Sequence, residues 1–384
     1  MTTTTSRWRL LLVLLAVLGL VAAACGDSDD DGEGSDTTAA ATTAAPDSTD
    51  ESAATTEAPA TTEAPGTTAE SAEGDDASAG GDFSWVMVTD QAGLGDQGFN
   101  DLAYAGITQA AEELGGEAQA LESSEQAQYV PNLQQAVDSG ADMVVGVGFL
   151  IVDAMAEVAQ ANPDANFVLI DAVATDAAGE PLPNVQSVTF REQEGAYLGG
   201  IIAGMTTETN QIGFAGGLEI PPVVRFLRGF EQGLASVNPD ATVEVAYVGN
   251  FEDPAATKAL AAGFYDAGAD IVFEVAGLGG LGAYEEVTER GPGFWVMGTD
   301  TCKDHLAPEN FLTSATKGVS TAVFLAAEAI ADGTFQGGIA DLGIAEDAAG
   351  VCQDTFGDLS PEIQSAVEEA QAAIESGELT VSGE

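Results

Sequence analysis

"FSWVMVTDQAGLGDQGFNDLAYAGITQAAEELG", residues 83–115, joins an unbroken apolar run to a helical pattern through a glycine-rich turn. The run "FSWVMVTD" (83–90) reads as a buried strand, and residues 99–114 read as a helix. The turn fits G-x-G-x-x-G at Gly93, Gly95 and Gly98, with Glu122 where a ribose-binding acid would stand. Taken alone, that is a dinucleotide fingerprint. The chain repeats it at Gly277, Gly279 and Gly282, ahead of Asp300. A composition with 46 glycines generates such matches readily. The loop chemistry argues against a pyrophosphate: Asp90 stands at the start of the first turn and Asp96 within it, and neither turn contains a basic residue. No cofactor is expected.

Outward from this unit the alternation continues. "EAQALES" is a strand with a helix near 127–139. "ADMVVGVGF" (141–149) is a strand with a helix near 152–161, and the strands "NFVLIDA" (166–172) and "NVQSVTF" (184–190) follow. After the helix "EQEGAYLGGIIAGMTT" the pattern restarts at "QIGFAGGL" and runs to the strand "FWVMGTD" (294–300). The tail segments "TAVFLAAEAIADG" and "SPEIQSAVEEAQAAIESGE" read as helices. Continuous apolar strands separated by helices imply parallel sheets covered on both faces. The expectation is an α/β protein with two doubly wound, Rossmann-like lobes. The first is expected over about 83–190 with a return near 297–322, the second over about 191–296 plus 323–384.

Ligands in such sheets sit beyond the C-terminal strand ends. Those ends are Asp90, Phe149, Asp171, Gly277 and Asp300. Carboxylates and a flat ring suit a neutral solute with hydroxyls and a planar group. Asp90 and Phe99 supply these from the first loop. Asn100 offers both donor and acceptor, or caps the helix start; the two roles are compatible. The aspartates are spread over separate strand ends, which argues against a hydrolytic calcium site. With His305 the only histidine and no CxxC or HExxH pattern, no metal is expected.

The N-terminal quarter has a different character. In residues 1–25, Arg7 and Arg9 precede an apolar stretch short of the about 20 residues a membrane span needs, ending in "VAAAC". This resembles a bacterial lipoprotein signal, with Cys25 as the lipid-bearing residue and Ala22 at the position usually held by Leu. Residues 26–82 are almost entirely Ala, Thr, Ser, Asp, Glu, Gly and Pro, a composition expected to act as a disordered acidic tether. The chain carries a formal charge of −54; residues 83–384 hold 47 acidic and seven basic residues. Such a field repels nucleic acid and strongly anionic ligands. In an exported chain Cys302 and Cys352 can pair, but spacing alone leaves that open.

At this point a resemblance enters. "VTDQAGLGDQGFNDLAYAGI", "GADMVVGVGF", "FREQEGAYLGGIIAG", "IGFAGGLEIPPVVRFLRGFEQG" and "LTSATKGV" resemble, in order, the motifs of the basic membrane protein family. These are lipoprotein solute-binding components of ABC transporters, and the resemblance spans nearly all of 84–322. It implies a type I periplasmic-binding fold, a nucleoside (a purine one first) as ligand, an ABC permease as partner, and a lipid-anchored, extracytoplasmic monomer without enzymatic activity. By the same resemblance Asp90, Phe99 and Asn100 hold the base, with Phe99 stacking on it. Asp171 receives a base or ribose proton, Gly277 forms a close turn, and Asp300 and Lys317 meet the ribose hydroxyls. A second stacking aromatic is open among Phe149, Phe251 and Phe273. Other readings stay in view: a tethered receptor for a sugar or signal molecule, and an extracellular nucleoside-processing enzyme.

Overall fold

The structure, a computed structural model, describes residues 82–384. The expected signal, lipid-bearing Cys25 and tether lie outside the described residues, Asp82 apart. From its first element the chain alternates as the apolar runs require. Ser84–Val88 (β1), Phe99–Glu113 (α1), Glu117–Leu121 (β2), Tyr129–Asp138 (α2) and Met143–Val147 (β3) come first. Val152–Ala161 (α3), Phe167–Ile170 (β4), Val185–Phe190 (β5) and Glu192–Thr206 (α4) follow. The second run comprises Gln211–Gly216 (β6), Pro221–Val237 (α5), Thr242–Tyr247 (β7), Pro254–Ala267 (α6) and Ile271–Val275 (β8). It continues through Leu281–Arg290 (α7), Trp295–Asp300 (β9) and Phe311–Lys317 (β10). Val319–Ala331 (α8), Gly338–Leu342 (β11), Ala349–Val351 (β12) and Pro361–Glu375 (α9) complete the chain.

Two six-stranded sheets result, ordered β11-β5-β4-β3-β1-β2 and β12-β10-β9-β8-β6-β7. The orders correspond strand for strand, so β4 occupies in one lobe the place of β9 in the other. All pairings are parallel except β10 with β12. Every residue of β3 and of β8 is buried, as sheets covered on both faces demand. No described helix is long and apolar enough to cross a membrane.

The lobe boundaries differ from the expected ones. The segment near 297–322 does not return to the first lobe. β9 pairs with β8, and β10 pairs with β9 through Ala315–Thr299 and Thr316–Asp300. Asp300 therefore ends a strand of the second sheet and does not lie at a crossover. The residues that do return are α8, packed on α1, and β11, paired with β5. The rest of 323–384, from β12 onward, stays with the second lobe. The reason is chemical: "FLTSATK" has a strand's burial without an apolar run, so β10 is invisible to periodicity.

The chain thus crosses between lobes at Arg191, at Gly318 and after Leu342, and these crossings lie side by side. Arg191 N donates to Leu342 O at 2.7 Å, and Gly318 N donates to Ala348 O at 2.9 Å. The Arg191 guanidinium ties Glu194 (2.7 Å), Asp341 (3.1 Å) and Glu346 together. Beyond the hinge, α4 lies so close to α5 that a side chain at Gly229 or Gly233 would overlap the Gln193 or Tyr197 carbonyl. That approach sets the start of α4 beside α5, where Glu192 pairs with Arg225.

Cys302, after β9, and Cys352, after β12, form a disulfide with Cα atoms 5.1 Å apart and a sequence separation of 50. Closing a loop of that size in the unfolded chain is worth about 2–4 kcal/mol. C302A/C352A is therefore expected to lower the unfolding free energy by about that amount in denaturant titrations. A double variant as stable as the parent would contradict a structural role for the bridge.

Candidate functional site

The C-terminal strand ends of the two sheets face each other across a cleft, the place where open α/β sheets bind small ligands. Asp90, Phe99, Asn100 and Asp171 line it from the first lobe; Gly277, Asp300 and Lys317 line it from the second. All seven residues nominated from the sequence are thus brought together.

The first loop is organised by a residue outside that set. Asp96, 1% exposed, accepts from Gly98 N (3.0 Å), Asn100 N (2.8 Å) and Asp101 N (3.2 Å). Its carboxylate occupies the helix N-terminus, where a phosphate would otherwise bind. Asn100 does not cap α1; it is the helix's second residue. Its amide donates to Asp90 Oδ1 at 2.8 Å and Asp96 Oδ2 at 3.2 Å, so its donors are committed to orienting these acids. Asp90 Oδ1 also accepts from Ala92 N at 2.9 Å, whereas Oδ2 has no hydrogen-bond partner among the described residues. Burial pushes the Asp90 carboxyl up to about 7, against the pull of its bonds from Asn100 and Ala92. Glu122, at the fingerprint's acidic position, accepts from Leu94 N at 3.2 Å and pins the loop.

Asp171 follows β4 and Asp300 ends β9, the corresponding strands of the two sheets. Both adopt left-handed backbone, at φ +71° and +70°, a conformation aspartate tolerates better than most residues. Lys317 Nζ, on the second lobe, donates to Asp171 Oδ2 at 2.7 Å across the cleft and lies 3.5 Å from Glu192 Oε1. Glu192 in turn binds Arg225 Nε at 2.5 Å. Burial pulls Lys317 down, but Asp171, Glu192 and Asp300 outweigh it and hold the ammonium above its ordinary range. Glu192 is raised, because its burial outweighs the attraction of Lys317 and Arg225. The Lys317 ammonium also lies 4.7 Å from the Phe99 ring centroid, 5.3 Å from Phe190 and 5.6 Å from Phe226. One acceptor is left over: Asp171 Oδ1 is buried without a hydrogen-bond partner among the described residues. A buried acceptor in that state is costly unless a donor arrives.

Of the aromatic candidates for a second wall, Phe149 and Phe251 line the cleft, whereas Phe273 is in the core of the second lobe. Phe226, on α5, also lines it and was not nominated. The second glycine fingerprint is a packing device. Gly277 has φ +58° beside Phe251, and Gly279 N donates to the Phe251 carbonyl at 2.9 Å.

Paired doubly wound lobes, parallel crossings and a cleft walled by both strand-end rims define a two-lobed solute-binding protein. Residues 83–382 match the profile of the family described as ABC transporter substrate-binding protein PnrA-like. The chain belongs to this family. It is 36% identical over 258 residues to Basic membrane protein A1 of Borrelia garinii subsp. bavariensis, covering 66% of this chain and 75% of that one. It is 33% identical over 320 residues to the ABC transporter nucleoside-binding protein BmpA of Lactococcus lactis subsp. cremoris, covering 78% and 89%. An ABC transporter solute-binding protein from Aeropyrum pernix K1 superposes with a TM-score of 0.72 at 30% identity, covering 78% and 92%.

The buried Asp90 yields a signed prediction. Its folded-state value of about 7 lies above the ordinary 3.8 of an aspartate, so between these values the folded chain binds the extra proton. Asp90 therefore costs stability as pH rises through that window. Asp90→Asn, which keeps the acceptor for Asn100 and Ala92, is expected to stabilise the unliganded protein at pH about 8 by up to about 4 kcal/mol. The gain shrinks towards pH about 5. Denaturant titrations at both pH values check this; equal effects at both would contradict it.

Proposed function

We propose that this protein captures a purine nucleoside between its lobes and presents the closed form to an ABC permease. The observation that carries the reading is the pairing of an aromatic ring with unspent acceptors. Phe99 offers a face to a base, while Asp171 Oδ1 lies buried without a donor among the described residues. Hydroxyls and ring N–H groups supply such donors; phosphate and carboxylate do not. Asp96 already fills the α1 N-terminus, which disfavours nucleotides and dinucleotides. The name of the Lactococcus lactis relative, a nucleoside-binding protein, agrees.

In this mechanism Phe99 stacks on the base and Asp90 Oδ2 receives a base N–H. Asp171 and Asp300 accept from the ribose hydroxyls, and Lys317 donates to the ribose oxygens while holding Asp171 in place. A ligand that touches both rims binds the closed form better than the open one, and so shifts the population. No bond is made or broken, and the protein is not an enzyme. Cys25 carries lipid, residues 26–82 tether the body outside the membrane, and the chain acts as a monomer.

The test is calorimetric titration of the purified protein with guanosine, inosine, adenosine, ribose, arabinose and NAD. Purine nucleosides are expected to bind, and Phe99→Ala is expected to weaken them about tenfold to a hundredfold through lost stacking. Binding of NAD or a sugar alone would overturn the reading. Release of free base on incubation would move the protein to the enzymes.

A further inference from the structure

The chain has three lysines. Lys258 lies at the surface beside Glu285 and Glu289. Lys317 belongs to the cleft. Lys303, 1% exposed, does not line the cleft, yet it is the most deeply buried of the three lysines. Its ammonium lies 3.2 Å from Glu274 Oε1, and Glu274, fully buried on β8, also accepts from Tyr284 Oη at 3.1 Å.

The other side of Lys303 faces the first lobe. A methyl group at Gly98 would stand 3.2 Å from Lys303 Nζ and 3.5 Å from Asp300 Oδ2. The first turn of α1, capped by Asp96, thus meets Lys303 and Asp300 directly. Two residues on, His305 Nε2 lies 2.7 Å from Gln97 Oε1, again across the lobes. Segment 303–305 is the second lobe's contact with loop 96–98. Cys302, just before it in the chain, is bonded to Cys352, just after β12, so the segment is anchored to its own sheet.

We propose that Lys303 is a closure residue: its ammonium neutralises carboxylates that the two lobes bring face to face, Asp96 from the first and Asp300 with Glu274 from the second. It is a positioning residue, acting through Asp96 and Asp300 without touching the solute. Closure of so acidic a body presses like charges into a low-dielectric space. Lys317 answers that repulsion on the Asp171–Glu192 side, and Lys303 answers it on the Asp96–Asp300 side. Burial pulls Lys303 down, but Glu274, Asp300 and Asp96 outweigh it, so the group stays charged.

The proposal rests on the nucleoside reading only for its choice of probe. The experiment compares wild type, Lys303→Met, Lys303→Arg and K303M/E274Q by guanosine titration at low and high salt, by thermal unfolding and by small-angle scattering. K303M is expected to bind guanosine about 30-fold more weakly, the penalty for unpairing a buried charge, with part of the loss recovered at high salt. K303R should retain most of the affinity. The double variant should regain thermal stability but not affinity, because Asp96 and Asp300 still repel. K303M binding like wild type would overturn the proposal. So would a double variant that recovers affinity together with stability, since Lys303 would then be a counterion internal to the second lobe. A wild type that ignores guanosine would sink the nucleoside reading alone. Scattering then decides: without ligand K303M must be more open than wild type, and equal radii of gyration would overturn the proposal.

Discussion

The bond from Lys317 Nζ to Asp171 Oδ2, 2.7 Å long and buried between the lobes, is the contact around which the rest is arranged. An isolated ion taken out of water costs several kcal/mol, so such a pair persists only when its remaining valences are met. Glu192, braced by Arg225, meets those of the ammonium on the hinge side, and three aromatic faces surround it; Asp171 Oδ1 is left without a partner among the described residues. Glu192 begins α4 just after the first crossover, and Lys317 ends β10 just before the second. The ion cluster therefore sits on the hinge. Whatever alters Asp171 is felt where the lobes pivot.

The matching strand orders explain why the two halves of the site resemble each other. Each sheet ends its β4 or β9 strand in an aspartate with left-handed backbone, aimed at the same cleft. Strained backbone of this kind persists only where surrounding structure over-determines it, and it concentrates at binding sites. The asymmetry between lobes lies in what surrounds those acids. The first lobe adds Asp90, Asp96 and the Phe99 ring. The second contributes both buried lysines, and with them the charge balance of closure.

Strand-forming apolar runs made much of the fold legible. The helix expected near 152–161 spans Val152–Ala161, and the restart of the βα pattern after 206 marks the second sheet. The site residues were legible because strand ends are few and the motif resemblance fell on them. What escaped was carried by contacts that periodicity does not encode. β10 is polar, and its loss displaced the expected crossover. Phe226 reads as one more apolar position on an amphipathic α5, since nothing local says that it faces a cleft. Asp96 weighed against phosphate as a charge, but its capping of α1 depends on how the loop folds back. Lys303 and Glu274 are 29 residues apart, and Lys317 and Asp171 are 146 apart. Such pairs come from topology alone.

The most direct test of the central claim is a crystal structure of the protein with a purine nucleoside bound. The account predicts an ordered base on the Phe99 ring, with ligand donors at hydrogen-bond distance from Asp171 Oδ1 and an Asp300 carboxylate oxygen. A nucleoside ordered elsewhere, or a cleft in which these carboxylates turn away from the ligand, would contradict it.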